Sequence, residues 1–198
     1  MNTALYDGAK YSLWALFGTL WRMRVHGAAN VPRNGPLIVA CNHVSYLDPP
    51  VLGTACPRRI QYMAKQELFK IPVLGPAIAA VGAYPVDRKG SAVAAIKRSV
   101  EVLKRGGAVG IFPEGTRNRD GSGSAQSGVA LLASLSGAPV LPACITGSGR
   151  ANKFAKIDVY FGTPIALPAD RKATRDELEA FSQSILATIR SLPQEYAR

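Results

Sequence analysis

Short apolar runs recur along the whole chain between helix-length segments, and this alternation limits the fold more than any other feature. Strands are expected at 24–26, 37–41, 60–63, 83–86, 108–112, 140–145 and 157–161. With helices between them, this is the pattern of an α/β domain with a mainly parallel sheet. The run PLIVA at 36–40 is short, apolar and rich in β-branched residues, as a strand buried on both faces must be. The clearest helix spans 91–104, with Val93, Ile96, Val100 and Leu103 as one apolar stripe and Lys97, Arg98 and Lys104 off it. Gly106 and Gly107 close it. A last amphipathic helix is expected over 174–191, with Leu178, Phe181, Ile185 and Ile189 inward, and the glycine-rich stretch 120–128 reads as a mobile loop.

At 198 residues the chain is one substantial domain without repeats. The segment YSLWALFGTLW at 11–21 is apolar nearly all round and is too short to cross a bilayer. Lys10, Arg22 and Arg24 flank it, and tryptophan with basic flanks suits an amphipathic helix lying at a membrane interface. Packing on the domain core is the other reading, and both can hold together. Asp7 before the run and its ending in Trp21 and Arg22 fit a signal peptide poorly. The chain therefore divides into an interfacial helix, 1–23, and an α/β domain, 24–198.

With 24 Lys plus Arg against 13 Asp plus Glu, the net charge is +11, which calls for an anionic partner: nucleic acid, an anionic bilayer or a phosphorylated substrate. The cations are scattered in pairs, and no nucleic-acid-binding motif accompanies them, so no specific nucleic acid is expected. Cys41, Cys56 and Cys144 form no CxxC pair and lack metal-ligand spacing, so no metal site is expected and a reducing compartment suits them.

Polar clusters follow several of the apolar runs, and the carboxyl edge of an open α/β sheet is where ligands bind. CNHVSYLD at 41–48 sets His43 and Asp48 five residues apart at a strand end. Pro49 and Pro50 follow, so Asp48 reads as a helix N-cap whose second oxygen could also orient the imidazole. A carboxylate on one ring nitrogen leaves the other to take a proton. A helix cap beside a solvated loop histidine is the plainer alternative. His26 has no comparable neighbours in sequence. FPEGTR at 112–117 follows the run AVGIF, and there Arg117 offers a fork matched to phosphate oxygens, with Glu114 and Gly115 beside it. GAYPVDR at 82–88 ends another run with Arg88, and Lys65 ends a third.

These segments, NHVSYLD, GAYPVDR, FPEGTR and APVLP, resemble in order and spacing the four sequence blocks of the glycerolipid acyltransferases, most of all the bacterial 1-acylglycerol-3-phosphate acyltransferases. The resemblance covers about residues 25–161. It implies the fold of those enzymes, and transfer of a fatty acyl group from acyl-CoA or acyl-carrier protein, as co-substrate and without a cofactor, to the free hydroxyl of a lysophospholipid. It implies His43 as general base, Asp48 as its orienting partner, Lys65, Arg88 and Arg117 as phosphate-binding groups, and Glu114 and Gly115 shaping the same pocket. Pro139, Val140 and Pro142 would line the acyl pocket or serve structure. The expected setting is the cytoplasmic face of the cell membrane, with peripheral attachment to anionic lipid.

A thioester is already activated, so aligning the hydroxyl and removing its proton suffices, with amides near Gly115 or at the start of the Pro49 helix as donors to the oxyanion. Where the family has basic residues after the third block, this chain has Ala125, Gln126, Ser127 and Gly128, which leaves the acceptor open among lysophosphatidate, glycerol 3-phosphate and other lysolipids. A hydrolase using Ser45 lacks the G-x-S-x-G elbow. A non-catalytic lipid-binding protein is the other alternative.

Overall fold

The computed structural model describes residues 3–72, 74–80, 82–86, 92–118, 123–168 and 173–197. In chain order the elements are α1 (Thr3–Leu20), β1 (Arg24–His26), β2 (Leu37–Cys41), α2 (Asp48–Ala55), β3 (Ile60–Lys65), α3 (Leu74–Ala80), β4 (Tyr84–Val86), α4 (Ala92–Lys104), β5 (Ala108–Ile111), α5 (Gly128–Ser136), β6 (Val140–Thr146), β7 (Asp158–Phe161) and α6 (Arg175–Glu195). The strands form one sheet in the order β1-β7-β6-β2-β5-β3-β4. β6, β2, β5, β3 and β4 run parallel, whereas β7 is antiparallel to β6 and carries β1 parallel to itself. This is the single mainly parallel α/β domain that the alternation predicts.

β2 is wholly buried because both faces of the sheet are covered. Leu37, Val39 and Cys41 point into a core layer shared with Phe17, Val51 and Leu52 from α1 and α2. Ile38 and Ala40 point into the opposite layer, with Leu103 from α4, Leu132 from α5 and Ile185 and Ile189 from α6. A period of two thus feeds two cores, which is why β2 reads as an unbroken apolar run. Gly110 in β5 is required by a close approach: a Cβ there would lie 2.2 Å from the Tyr62 ring.

Two helices differ from their sequence patterns. In α4 the buried residues are Ala95, Ser99, Val102 and Leu103, and Val93 is 64% exposed. Of the expected stripe, Ile96, Val100 and Leu103 pack on the core and only Val93 stands outside it, while Ser99 joins the buried face by bonding Tyr84 Oη at 2.6 Å. In α2, Asp48 is the first helical residue, and Leu47 occupies the cap position without a side-chain cap. Asp48 therefore does not cap the helix. α6 starts as its sequence TRDE implies, with Thr174 and Glu177 forming a reciprocal capping box.

α1 both packs and presents an apolar face. Tyr6 and Phe17 are buried, and Tyr6 Oη accepts from Ile60 N at 3.1 Å, whereas Leu5, Tyr11, Trp14, Leu16 and Leu20 remain exposed. No helix among the described residues is long and apolar enough to cross a membrane.

Candidate active site

His43 leaves the carboxyl end of β2 and Asp48 opens α2, so a five-residue turn brings them together. Asp48 Oδ2 lies 2.9 Å from His43 Nδ1 and also accepts from Val44 N and Ser45 N, at 2.7 Å each. Three donors on Oδ2 offset part of the cost of burying the carboxylate, whose Oδ1 has no hydrogen-bond partner among the described residues, while the imidazole keeps 17% of its side-chain surface. The carboxylate holds the proton on Nδ1 and leaves Nε2 as an acceptor. Phe112, the first residue of FPEGTR, stacks on the imidazole with centroids 4.3 Å apart.

β5 is one of the two neighbours of β2 and runs parallel to it, so the turn after β5 lies against the turn after β2. Glu114 Oε2 accepts from His43 N at 3.1 Å, and Asn118 N donates to His43 O at 2.7 Å. Asn118 Nδ2 donates in turn to Glu114 Oε1 at 2.9 Å. Gly115 holds a φ of 68° with Gln126 packed over it; a Cβ would meet that amide at 2.4 Å, so a side chain is excluded twice. The Arg117 guanidinium stacks 3.6 Å above the ring of Tyr46, joining the two motifs across the mouth of the site. A guanidinium held on an aromatic face can still use its N–H groups to bind an oxyanion.

Lys65 ends β3, exposed and paired in register with Val86 of β4. His43, Glu114, Arg117 and Lys65 thus follow the carboxyl ends of three neighbouring strands, β2, β5 and β3, and β4 is the next strand in the sheet. Arg88 lies outside the described residues. Val140 and Pro142 lie buried inside β6, and Pro139 O accepts from Ile38 N at 3.0 Å, so this block belongs to the sheet interior.

Several contributors carry no local signal. Asn42 pairs with the backbone of Ile145 in both directions, Nδ2 to O at 2.9 Å and Oδ1 from N at 2.7 Å, extending the β2–β6 ladder by one side chain. Arg190 of α6 donates to Gly123 O and lies 3.9 Å from Glu114 Oε1. A cation therefore reaches the corner where Gln126 and Ser127 supply none. Ser45 Oγ accepts from Leu47 N at 3.2 Å and makes no hydrogen bond to His43 among the described residues. Burial raises the thiols of Cys41, Cys56 and Cys144, the last to about 12, so none is a ready nucleophile. No group of three or more His, Cys, Asp and Glu suited to a metal occurs among the described residues.

The fold and this edge define an α/β protein with a carboxylate-backed imidazole beside a stacked guanidinium, equipment for moving a proton near an anionic group. A family model described as acyltransferase matches residues 22–146, and the chain belongs to that family. It is 31% identical over 176 residues to the 1-acyl-sn-glycerol-3-phosphate acyltransferase of Bacillus subtilis, covering 86% of this chain and 87% of that protein. Against the protein of that name from Streptococcus pneumoniae it is 28% identical, covering 92% and 69%. The crystal structure of a 1-acyl-sn-glycerophosphate acyltransferase, PlsC, from Thermotoga maritima matches with a TM-score of 0.72 at 26% identity, over 98% of this chain and 80% of that one.

Proposed function

We propose that this protein transfers a fatty acyl group from acyl-CoA or acyl-carrier protein to the free hydroxyl of 1-acylglycerol 3-phosphate, giving phosphatidic acid. The observation that carries the reading is the His43–Asp48 pair at 2.9 Å, with Nε2 left to accept a proton and Arg117 stacked on Tyr46 of the same turn. The acceptor oxygen attacks the thioester carbonyl as His43 Nε2 takes its proton. The tetrahedral oxyanion then collapses, the carbon–sulfur bond breaks, and the imidazolium returns the proton to the departing thiolate. No covalent enzyme intermediate is needed. The Gly115 amide already donates to Phe112 O at 2.9 Å, and Pro49 and Pro50 in the first turn of α2 lack N–H, so the amides of Thr116 and Arg117 are better candidates for oxyanion donors.

Lys65, Arg88 and Arg117 bind the acceptor phosphate in this reading, while Glu114 and Gly115 hold the shape of the pocket. Glu114 acts from behind, through the His43 backbone, so its part is positional. The relatives' named activity and the cations beside the pair support the phosphate-bearing acceptor. The protein attaches peripherally, on the cytoplasmic face, to anionic membrane: α1 offers exposed Trp14, Leu16 and Leu20, and the chain carries +11.

The test is a panel of lysophosphatidate, glycerol 3-phosphate and neutral lysolipids with acyl-CoA and acyl-carrier protein, following thiol release and product lipid. Lysophosphatidate should be preferred. His43→Ala should lower kcat about a thousandfold, and Ser45→Ala should leave it nearly intact. Equal losses would point to a serine nucleophile, and vesicle binding without thiol release from any pair would point to a lipid-binding protein.

A further inference from the structure

β6 leads at its carboxyl end into a short 3-10 stretch, Ser148–Lys153, which stops at Phe154. Phe154 has a φ of 50°, a left-handed conformation that strains a bulky aromatic residue and that glycine or asparagine would hold more easily. Packing repays little of this, because Phe154 is 56% exposed. Among the described residues its ring neighbour is Trp21, with centroids 5.7 Å apart. Trp21, just past the end of α1, donates through Nε1 to Ala151 O at 2.8 Å and so fastens this loop to the helix. Phe154 is thereby held at the C-terminal end of α1, the helix that carries exposed Leu16 and Leu20, while Arg150 and Lys153 of the same loop stand exposed. The loop also borders the catalytic turn: a Cβ on Gly149 would sit 3.8 Å from Val44 Cγ2.

We propose that Phe154, with Arg150 and Lys153, is a second membrane contact, which together with α1 lays an anionic bilayer across the mouth of the site. This rests on the membrane attachment put forward above and adds to it the loop that orients the protein. An aromatic ring held outward between cations suits the boundary of headgroups and acyl chains, where ring and charge are both satisfied. One apolar helix would leave the protein free to roll about its axis; a second contact beside Val44 turns the dyad toward the lipid. An acidic protein partner would use the two cations but gain less from the ring.

The experiment uses the full chain and sedimentation with vesicles of phosphatidylglycerol plus phosphatidylcholine, and of phosphatidylcholine alone. Phe154→Asn, which keeps the left-handed backbone, should weaken partitioning about tenfold on both. The exchange of Arg150 and Lys153 for glutamine should weaken it about fivefold per cation, on the anionic vesicles only. Turnover of a short-chain, water-soluble lysophosphatidate without vesicles should stay as in wild type. Leu135→Asn, on the exposed side of α5, should change nothing. The proposal is overturned if the Phe154 and cation variants partition like wild type while Leu16→Asn or Leu20→Asn releases the protein. A rise in KM for acyl-carrier protein with unchanged partitioning also overturns it, in favour of a protein partner. If wild type binds neither vesicle while turning over soluble substrate, membrane attachment fails and the reaction assignment stands.

Discussion

Asp48 Oδ2 accepts from His43, Val44 and Ser45, so one oxygen both orients the imidazole and shapes the turn that presents it. In Asp48→Asn the amide oxygen can take the two backbone donors but cannot stabilise an imidazolium. The expected result is a kcat loss of about a hundredfold or more with a nearly unchanged KM for acceptor, read by steady-state kinetics. Tyr46 acts through Arg117. It is 73% exposed, so removing its ring leaves the core intact, but the guanidinium 3.6 Å above it loses its platform. Tyr46→Ala should raise the KM for a phosphate-bearing acceptor about threefold with kcat retained, and Tyr46→Phe should restore it. An unchanged KM in the alanine variant would mean that Arg117 is oriented by other groups. The pairing of Tyr46 with Arg117 leaves no trace in sequence, because the two positions belong to different turns.

Elements are legible where their signals are local. The capping box of α6 follows from Thr174 and Glu177 three residues apart, with Glu177 N donating to Thr174 Oγ1 at 3.3 Å and Glu177 Oε2 accepting from Thr174 N at 2.7 Å. Thr174→Ala should cost about 1 kcal/mol in urea unfolding, with the m-value and kcat unchanged, since the cap lies at the opposite end of α6 from Arg190. The apolar face of α4 was legible in Ile96, Val100 and Leu103, but the burial of Ser99 was not, because its hydrogen bond to Tyr84 joins residues from two elements. For the same reason Asp48 reads as a cap in sequence but in the fold turns back to the residues before it.

Across the whole molecule, β7 and β1 extend the parallel block in reversed direction, and a polar cluster ties them down. His26, which has no partner in the local sequence, meets Asp158 Oδ1 at 2.9 Å across the β1–β7 pairing, and Lys156 meets Oδ2 at 3.0 Å. Burial raises the Asp158 carboxyl, but the hydrogen bonds from His26 and Lys156 outweigh it and hold the group below the ordinary carboxylate value. A depressed folded value stabilises the fold above the unfolded carboxylate range, and this contribution is lost as pH falls through the folded value. Asp158→Asn should therefore be less stable near neutral pH and should lose less stability than wild type on acidification below about pH 4, as followed by urea midpoints. The sequence by itself determined the α/β class, the seven strands, the strand-end positions of His43, Glu114 and Arg117, and the acyltransferase resemblance. These are read from period, composition and order along the chain. Tertiary structure alone decided the strand order that sets the FPEGTR turn beside His43, the Tyr46–Arg117 stack, the arrival of Arg190 and the His26–Asp158 pair. Each joins groups far apart in the chain or in separate turns, and their meeting depends on packing that no local pattern encodes.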